Sequence, residues 1–165
     1  MDIEKAIDEL VVEVRKDNSF LNKIKVQAWK FKKRYNPGMM EFPEWLREIW
    51  ARQTVRTAVE SGLAYSTELA MDIGKIEYYG VPALMAVVNM YADSDCWSCY
   101  VEEGRINATV YCKDRSIAEK AADMLRRLTW EEVEIVDDYD DEIVPVMASL
   151  PYKGMHDVRR KRVSF

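Results

Sequence analysis

Three cysteines and one histidine are the side chains with which this chain could perform metal or redox chemistry. Cys96 and Cys99 form a C-x-x-C pair, Cys112 lies downstream, and His156 sits near the C-terminal end. Thiolates and an imidazole are the ligands zinc prefers, and a C-x-x-C pair opening a helix after a strand is the arrangement of a thiol–disulfide centre. The surrounding residues argue against both. The run 96–113 (CWSCYVEEGRINATVYCK) alternates apolar and polar residues about Glu103-Gly104, the pattern of a β-hairpin. Pairing Glu102 with Arg105 puts Trp97, Cys99 and Val101 opposite Val110, Ala108 and Ile106, with Cys112 following on that apolar face. Ser98, Tyr100 and Glu102 then oppose Thr109, Asn107 and Arg105 on the polar face. Residues three apart in a strand point to opposite sides, so Cys96 and Cys99 do not close on one ion. The thiols are expected to be reduced and to pack as small apolar side chains, and no metal or cofactor is expected.

The other chemical candidates are weaker. Any histidine mechanism must use His156, which stands beside Asp157 in a basic tail and is expected to be solvated. The carboxylates Asp137, Asp138, Asp140, Asp141 and Glu142 could hold Mg²⁺ or Ca²⁺. They lack the glycine and spacing of a calcium loop, so a solvated turn is expected, with a carboxylate-metal enzyme as an alternative. The six glycines are isolated, which excludes the phosphate-binding loop and the dinucleotide fingerprint.

The charge layout carries more information. The net charge of −5 is distributed very unevenly. Residues 18–40 hold six basic side chains and no acid, and residues 151–165 hold five basic side chains and one acid. Residues 92–150 hold six basic against fifteen acidic ones. Two basic segments thus bracket an acidic body, as suits an anionic partner or mating with acidic surfaces of a neighbouring copy. The basic segment 20–35 reads as a helix on which Lys23, Lys30 and Arg34 share a side, while Lys25, Lys32 and Lys33 flank Trp29. Cations at such spacing suit phosphates, and an exposed aromatic suits base stacking. The tail adds Arg159, Arg160, Lys161 and Arg162 before a terminal Phe165.

The elements that position these groups follow from periodicity. Ile3, Ala6, Ile7, Leu10, Val11 and Val14 predict a helix over 3–16, and a second runs from Phe20 to Tyr35 and stops at Asn36-Pro37-Gly38; their short link favours an antiparallel pair. Pro43 opens a third helix to about Ser61, whose apolar residues lie almost all round it and predict a central position. A fourth is expected over 66–78. Residues 54–74 match a helix-turn-helix only weakly, because its second helix would offer acids to phosphates. Residues 82–91 sit between helix and strand, leaning to helix, with Asp93-Ser94-Asp95 as a turn before the hairpin. Ser116 and Glu119 read as a capping box for a helix ending near Thr129. Strands are expected at 132–136 and 143–150, the latter at an edge or bulge because of Pro145.

The expectation is a single α+β domain over 1–165: antiparallel N-terminal helices in a mainly helical part (1–80), packed with a β-β-α-β-β antiparallel sheet unit (92–150), then a basic tail (151–165). No apolar run approaches a membrane span and no secretory leader is visible, so a soluble, cytoplasmic protein without membrane contact is expected. The expected function is a non-enzymatic binding or accessory protein touching nucleic acid, a nucleoprotein or an acidic protein surface. Its contact residues would be Lys23, Lys25, Trp29, Lys30, Lys33 and Arg34, with Arg159, Arg160, Lys161 and Arg162. The alternative is self-assembly into a homo-oligomer through oppositely charged segments.

Overall fold

The protein has an α+β fold, with N-terminal helices and a C-terminal four-stranded antiparallel sheet. The computed structural model describes residues 2–16, 19–60, 79–137, 139–140 and 142–151. The predicted helix at 66–78, the second half of the helix-turn-helix candidate, His156 and the basic tail lie outside the described residues. The described chain forms two compact units, one within 2–60 and one within 79–151.

In the first unit, α1 (Ile3–Lys16) buries Ala6, Ile7, Leu10 and Val14. Helix α2 (Phe20–Tyr35) buries Leu21, Ile24, Ala28 and Phe31. Helix α3 (Phe42–Trp45) continues through a π-helical turn (Leu46–Ala51) into α4 (Arg52–Glu60). The π turn resolves the all-round apolar pattern read from this segment. A π turn takes up an extra residue, so the repeat steps by five from Trp45 to Trp50 instead of by four. Trp45, Leu46, Trp50, Ala51, Val55 and Ala58 thereby fall on one buried stripe, while Ile49 and Val59 are left exposed. Helix α1 packs on the π turn and α4, and α2 packs on α3.

In the second unit, α5 (Val81–Tyr91) settles the ambiguous segment as helix, with Pro82 in its first turn. Pro is tolerated there because that N–H has no intrahelical acceptor. The chain enters β1 (Ala92–Glu102) without a connecting turn. Asp93-Ser94-Asp95 is an irregularity inside the strand, with φ of 48° at Ser94 and 57° at Asp95, and the register shifts between Ala92 and Trp97. Strand β2 (Arg105–Cys112) follows a two-residue turn in which Glu103 and Gly104 both have positive φ. Such a turn matches the twist of the strands it joins. The hairpin register is the one read from the sequence, Trp97 to Val110 through Glu102 to Arg105.

Helix α6 (Arg115–Arg127) is capped by Asp114, whose Oδ1 accepts the Ile117 N–H at 2.9 Å, and not by Ser116 as expected. Strands β3 (Glu131–Ile135) and β4 (Val144–Pro151) complete the sheet in the order β1-β2-β4-β3. Strand β4 is therefore central, so of the edge or bulge read from Pro145 the edge is not found. The proline is accommodated because it stands one residue inside the strand, beyond the last β3–β4 pair, and gives its carbonyl to the Val136 N–H at 2.9 Å. Helices α5 and α6 cover one face of the sheet. There Ile106, Ala108, Val110, Cys112, Val146 and Ala148 meet a buried layer that includes Leu84, Val87, Val88, Ala121, Ala122 and Leu125. Among the described residues no helix is long and apolar enough to cross a membrane.

Candidate functional site

The basic helix α2 divides its candidate cations between an exposed stripe and positions engaged by the fold. The helix contains no acidic residue, and Lys23, Lys30 and Arg34 are exposed. They lie at i, i+7 and i+11, with Gln27 between them, so they form one stripe roughly 16 Å long at 1.5 Å per residue. The Arg34 guanidinium carbon lies 5.9 Å from the centroid of the Phe31 ring.

The remaining candidates of this helix face inward or are engaged by the fold. Lys25, read from the sequence as a phosphate contact, is fully buried, with Nζ 4.0 Å from the Trp50 ring centroid. Its position follows from the helix period: Lys25 neighbours Leu21, Ile24 and Ala28, which are the buried stripe. That burial corrects its assignment as a surface contact. Trp29 is half-buried and serves packing: its Nε1 donates to the Met40 carbonyl at 3.1 Å, and its ring meets Phe42 edge-on with centroids 5.7 Å apart. Lys33 donates to the Met39 carbonyl at 3.1 Å and to Glu41 Oε1 at 2.5 Å, with its Nζ 5.5 Å from the Trp29 ring centroid. Trp29 and Lys33 together clip the 36–41 loop back onto the helix that precedes it.

A second set of charges holds α1 to the segment after α3. Arg47 donates to Asp8 Oδ1 and Glu4 Oε2, both at 3.0 Å, and Arg52 donates to Glu4 Oε1 at 2.7 Å and Glu48 Oε2 at 3.1 Å. The hydrogen bonds from Arg52 and Arg47 hold the Glu4 carboxyl down to about 2, and the same two arginines, Arg47 foremost, lower that of Glu48. The sequence reading did not find this network, because its members lie more than one helix apart in the chain. An open groove of about 590 Å³ runs along α1, lined mainly by acids that include Asp8, Glu9 and Glu13, with Lys5 and Val12 among them.

The cysteines are arranged as the hairpin requires. Cys96 is exposed, Cys99 half-buried and Cys112 buried, and all three are free thiols. Burial pushes the Cys99 thiol up, and burial with Asp114 nearby pushes that of Cys112 to about 11. In the acidic segment, Asp137 is paired with Arg115, and Asp140 Oδ1 accepts the Glu142 N–H at 3.0 Å. Asp138 and Asp141 lie outside the described residues. Among the described residues no group of three or more His, Cys, Asp or Glu side chains converges as a metal site.

The sheet face opposite the helices is polar and mixed. Arg105 donates to Glu131 Oε2 at 2.7 Å and to Ser149 Oγ at 2.8 Å, and Ser149 donates to Glu132 at 3.2 Å. Tyr100 and Met147 are exposed on it. Comparison of the chain with protein families, with curated proteins and with solved structures finds no match.

Proposed function

We propose that this is a non-enzymatic binding protein that holds a polyanionic chain, nucleic acid by preference, against the outward stripe of α2. The observation that carries the reading is the acid-free helix with Lys23, Lys30 and Arg34 exposed along one side. Ammonium and guanidinium groups at this spacing neutralise successive phosphates and release counterions, which gives affinity without sequence preference. Lys25, Trp29 and Lys33 act indirectly, by fixing how the helix is seated. Arg159, Arg160, Lys161 and Arg162 would extend the same contact.

Fluorescence anisotropy with labelled single- and double-stranded DNA and RNA, at low and physiological salt, tests this. The expected result is salt-sensitive binding that is lost when Lys23, Lys30 and Arg34 are reversed to glutamate. Absence of binding at low salt, where phosphate attraction is strongest, would overturn it.

A second reading, assembly between copies, has the acidic groove along α1 in its favour, since it complements the α2 stripe in charge. It predicts a mass in sedimentation that rises with concentration and falls when Lys23, Lys30 and Arg34 are reversed to glutamate.

A further inference from the structure

The edge of the sheet at β1 offers a contact that the α2 stripe does not use. Among the described residues strand β1 ends the order β1-β2-β4-β3, and beyond the irregularity at Asp93-Ser94-Asp95 it runs in unbroken register from Trp97 to Glu102. Glu102 pairs with Arg105 across a two-residue turn. In such a hairpin this is the hydrogen-bonded pair, so alternate residues of β1 turn their main-chain groups away from β2. Cys99 and Val101 therefore aim their N–H and C=O groups at the edge that no strand pairs with among the described residues. The irregularity at Asp93-Ser94-Asp95 blunts the start of the edge, and the regular stretch from Trp97 to Glu102 remains a template for another strand.

Two features choose the occupant. The first is charge: from Ala92 to Gly104 the chain carries Asp93, Asp95, Glu102 and Glu103 and no basic residue. Two copies of this edge would bring like charges together, which disfavours pairing of β1 with itself. A strand bearing lysine or arginine is complementary. The second is the side-chain pattern. On the helix-covered side of the sheet, Val101 remains 60% exposed and Cys99 only half-buried. On the other side Tyr100 is 54% exposed, next to Glu102. An added strand with alternating apolar and basic residues would cover Val101 and Cys99 with the first set and face Glu102 with the second.

We propose that β1 binds an extended basic segment of another protein by strand addition. Main-chain hydrogen bonds from Cys99 and Val101 supply the affinity, and the acids supply the preference for a cationic strand. The inference rests on the sheet edge alone and stands or falls independently of polyanion binding by α2.

The test uses the full chain and an eight-residue peptide of alternating lysine and valine, with two controls. One control replaces lysine by glutamate; the other carries N-methyl groups on alternate amides, which keeps the charge and removes the main-chain donors. Binding is followed by peptide fluorescence anisotropy and by amide shifts and hydrogen exchange of the protein. The lysine peptide should bind and protect the Cys99 and Val101 amides. The glutamate and N-methyl peptides should each bind at least about tenfold more weakly, and E102Q with E103Q should weaken the lysine peptide by about three- to tenfold, the scale of two partly exposed charge pairs. Val101→Pro removes only an outward donor and should abolish binding. Should that variant fail to fold, the N-methyl peptide makes the same distinction on the unaltered protein. Equal binding of the N-methyl and parent peptides would reduce the effect to charge attraction and overturn the proposal. So would protection confined to α1 or α2, or dimerisation of the protein through β1 without peptide.

Discussion

Lys33→Ala should lower stability and spare polyanion affinity, whereas Lys30→Ala should do the opposite. Lys33 holds the Met39 carbonyl at 3.1 Å and Glu41 at 2.5 Å. Its side chain is 26% exposed and that of Glu41 72%, so solvent screens the ion pair and limits it to about 1 kcal/mol or less. The charged hydrogen bond to a carbonyl adds about 1–2 kcal/mol, and the ammonium near the Trp29 ring about 0.5 kcal/mol. These contributions share one group and overlap, so a loss of about 1.5–2.5 kcal/mol is expected. For a chain of this size that is a fall in Tm of about 3–10 °C. Lys30 is exposed, and its removal should change stability by no more than about 0.5 kcal/mol. Its loss should reduce the slope of log affinity against log salt by about 0.9 on duplex DNA. Thermal melts followed by tryptophan fluorescence, beside anisotropy on the same samples, separate the two effects. A Lys33→Ala protein that melts as the parent does but binds as poorly as Lys30→Ala would refute the division of labour within α2.

The ion network should make stability fall in acid. Glu4 is held down to about 2, so the stability it contributes is complete above the ordinary carboxylate range near 4.5 and is lost as pH falls from there through about 2. Glu4→Gln should flatten the acid limb of a urea-midpoint-versus-pH curve over that window. At pH 8, iodoacetamide should alkylate exposed Cys96 first and leave Cys112 intact until the protein unfolds, as mass spectrometry can resolve. Leu125→Ala should cost about 2–5 kcal/mol in urea denaturation, because the side chain is completely buried between α6 and the sheet. Gly104→Ala should cost about 1 kcal/mol through the φ of +72° alone, since a Cβ there meets nothing within 4 Å.

The hairpin was readable because three signals agree: alternation in both arms, a turn glycine, and one register that satisfies both faces. The helix pattern at 3–16 and 20–35 was equally plain. What escaped the sequence has physical causes. A uniform period of 3.6 misreads the segment from Trp45 to Ala58, since the π turn shifts its phase; the step of five between the two tryptophans is the only local trace. Pro145 suggested an edge because its missing N–H is costly in a ladder, yet a position just inside the strand end makes the same allowance in a central strand. At the basic helix, composition gave the right number of cations but not their directions. Lys25 falls beside Ile24 and Ala28 on the buried stripe, and Lys33 is one turn from an exposed position but within reach of the loop carbonyl at Met39. The arginine–carboxylate network depends on helix packing, which no short-range pattern reports.

The central claim is that the outward stripe of α2 contacts phosphates, and the salt slope of binding tests it most directly. Affinity for a labelled oligonucleotide would be measured from low to physiological salt for the parent protein and for Lys23→Gln with Lys30→Gln. Two phosphate contacts removed should lower the magnitude of the slope by about 1.4 on a single strand or 1.8 on a duplex, with the fold unchanged. An identical slope for the two proteins, or no binding by the parent at low salt, would contradict the account.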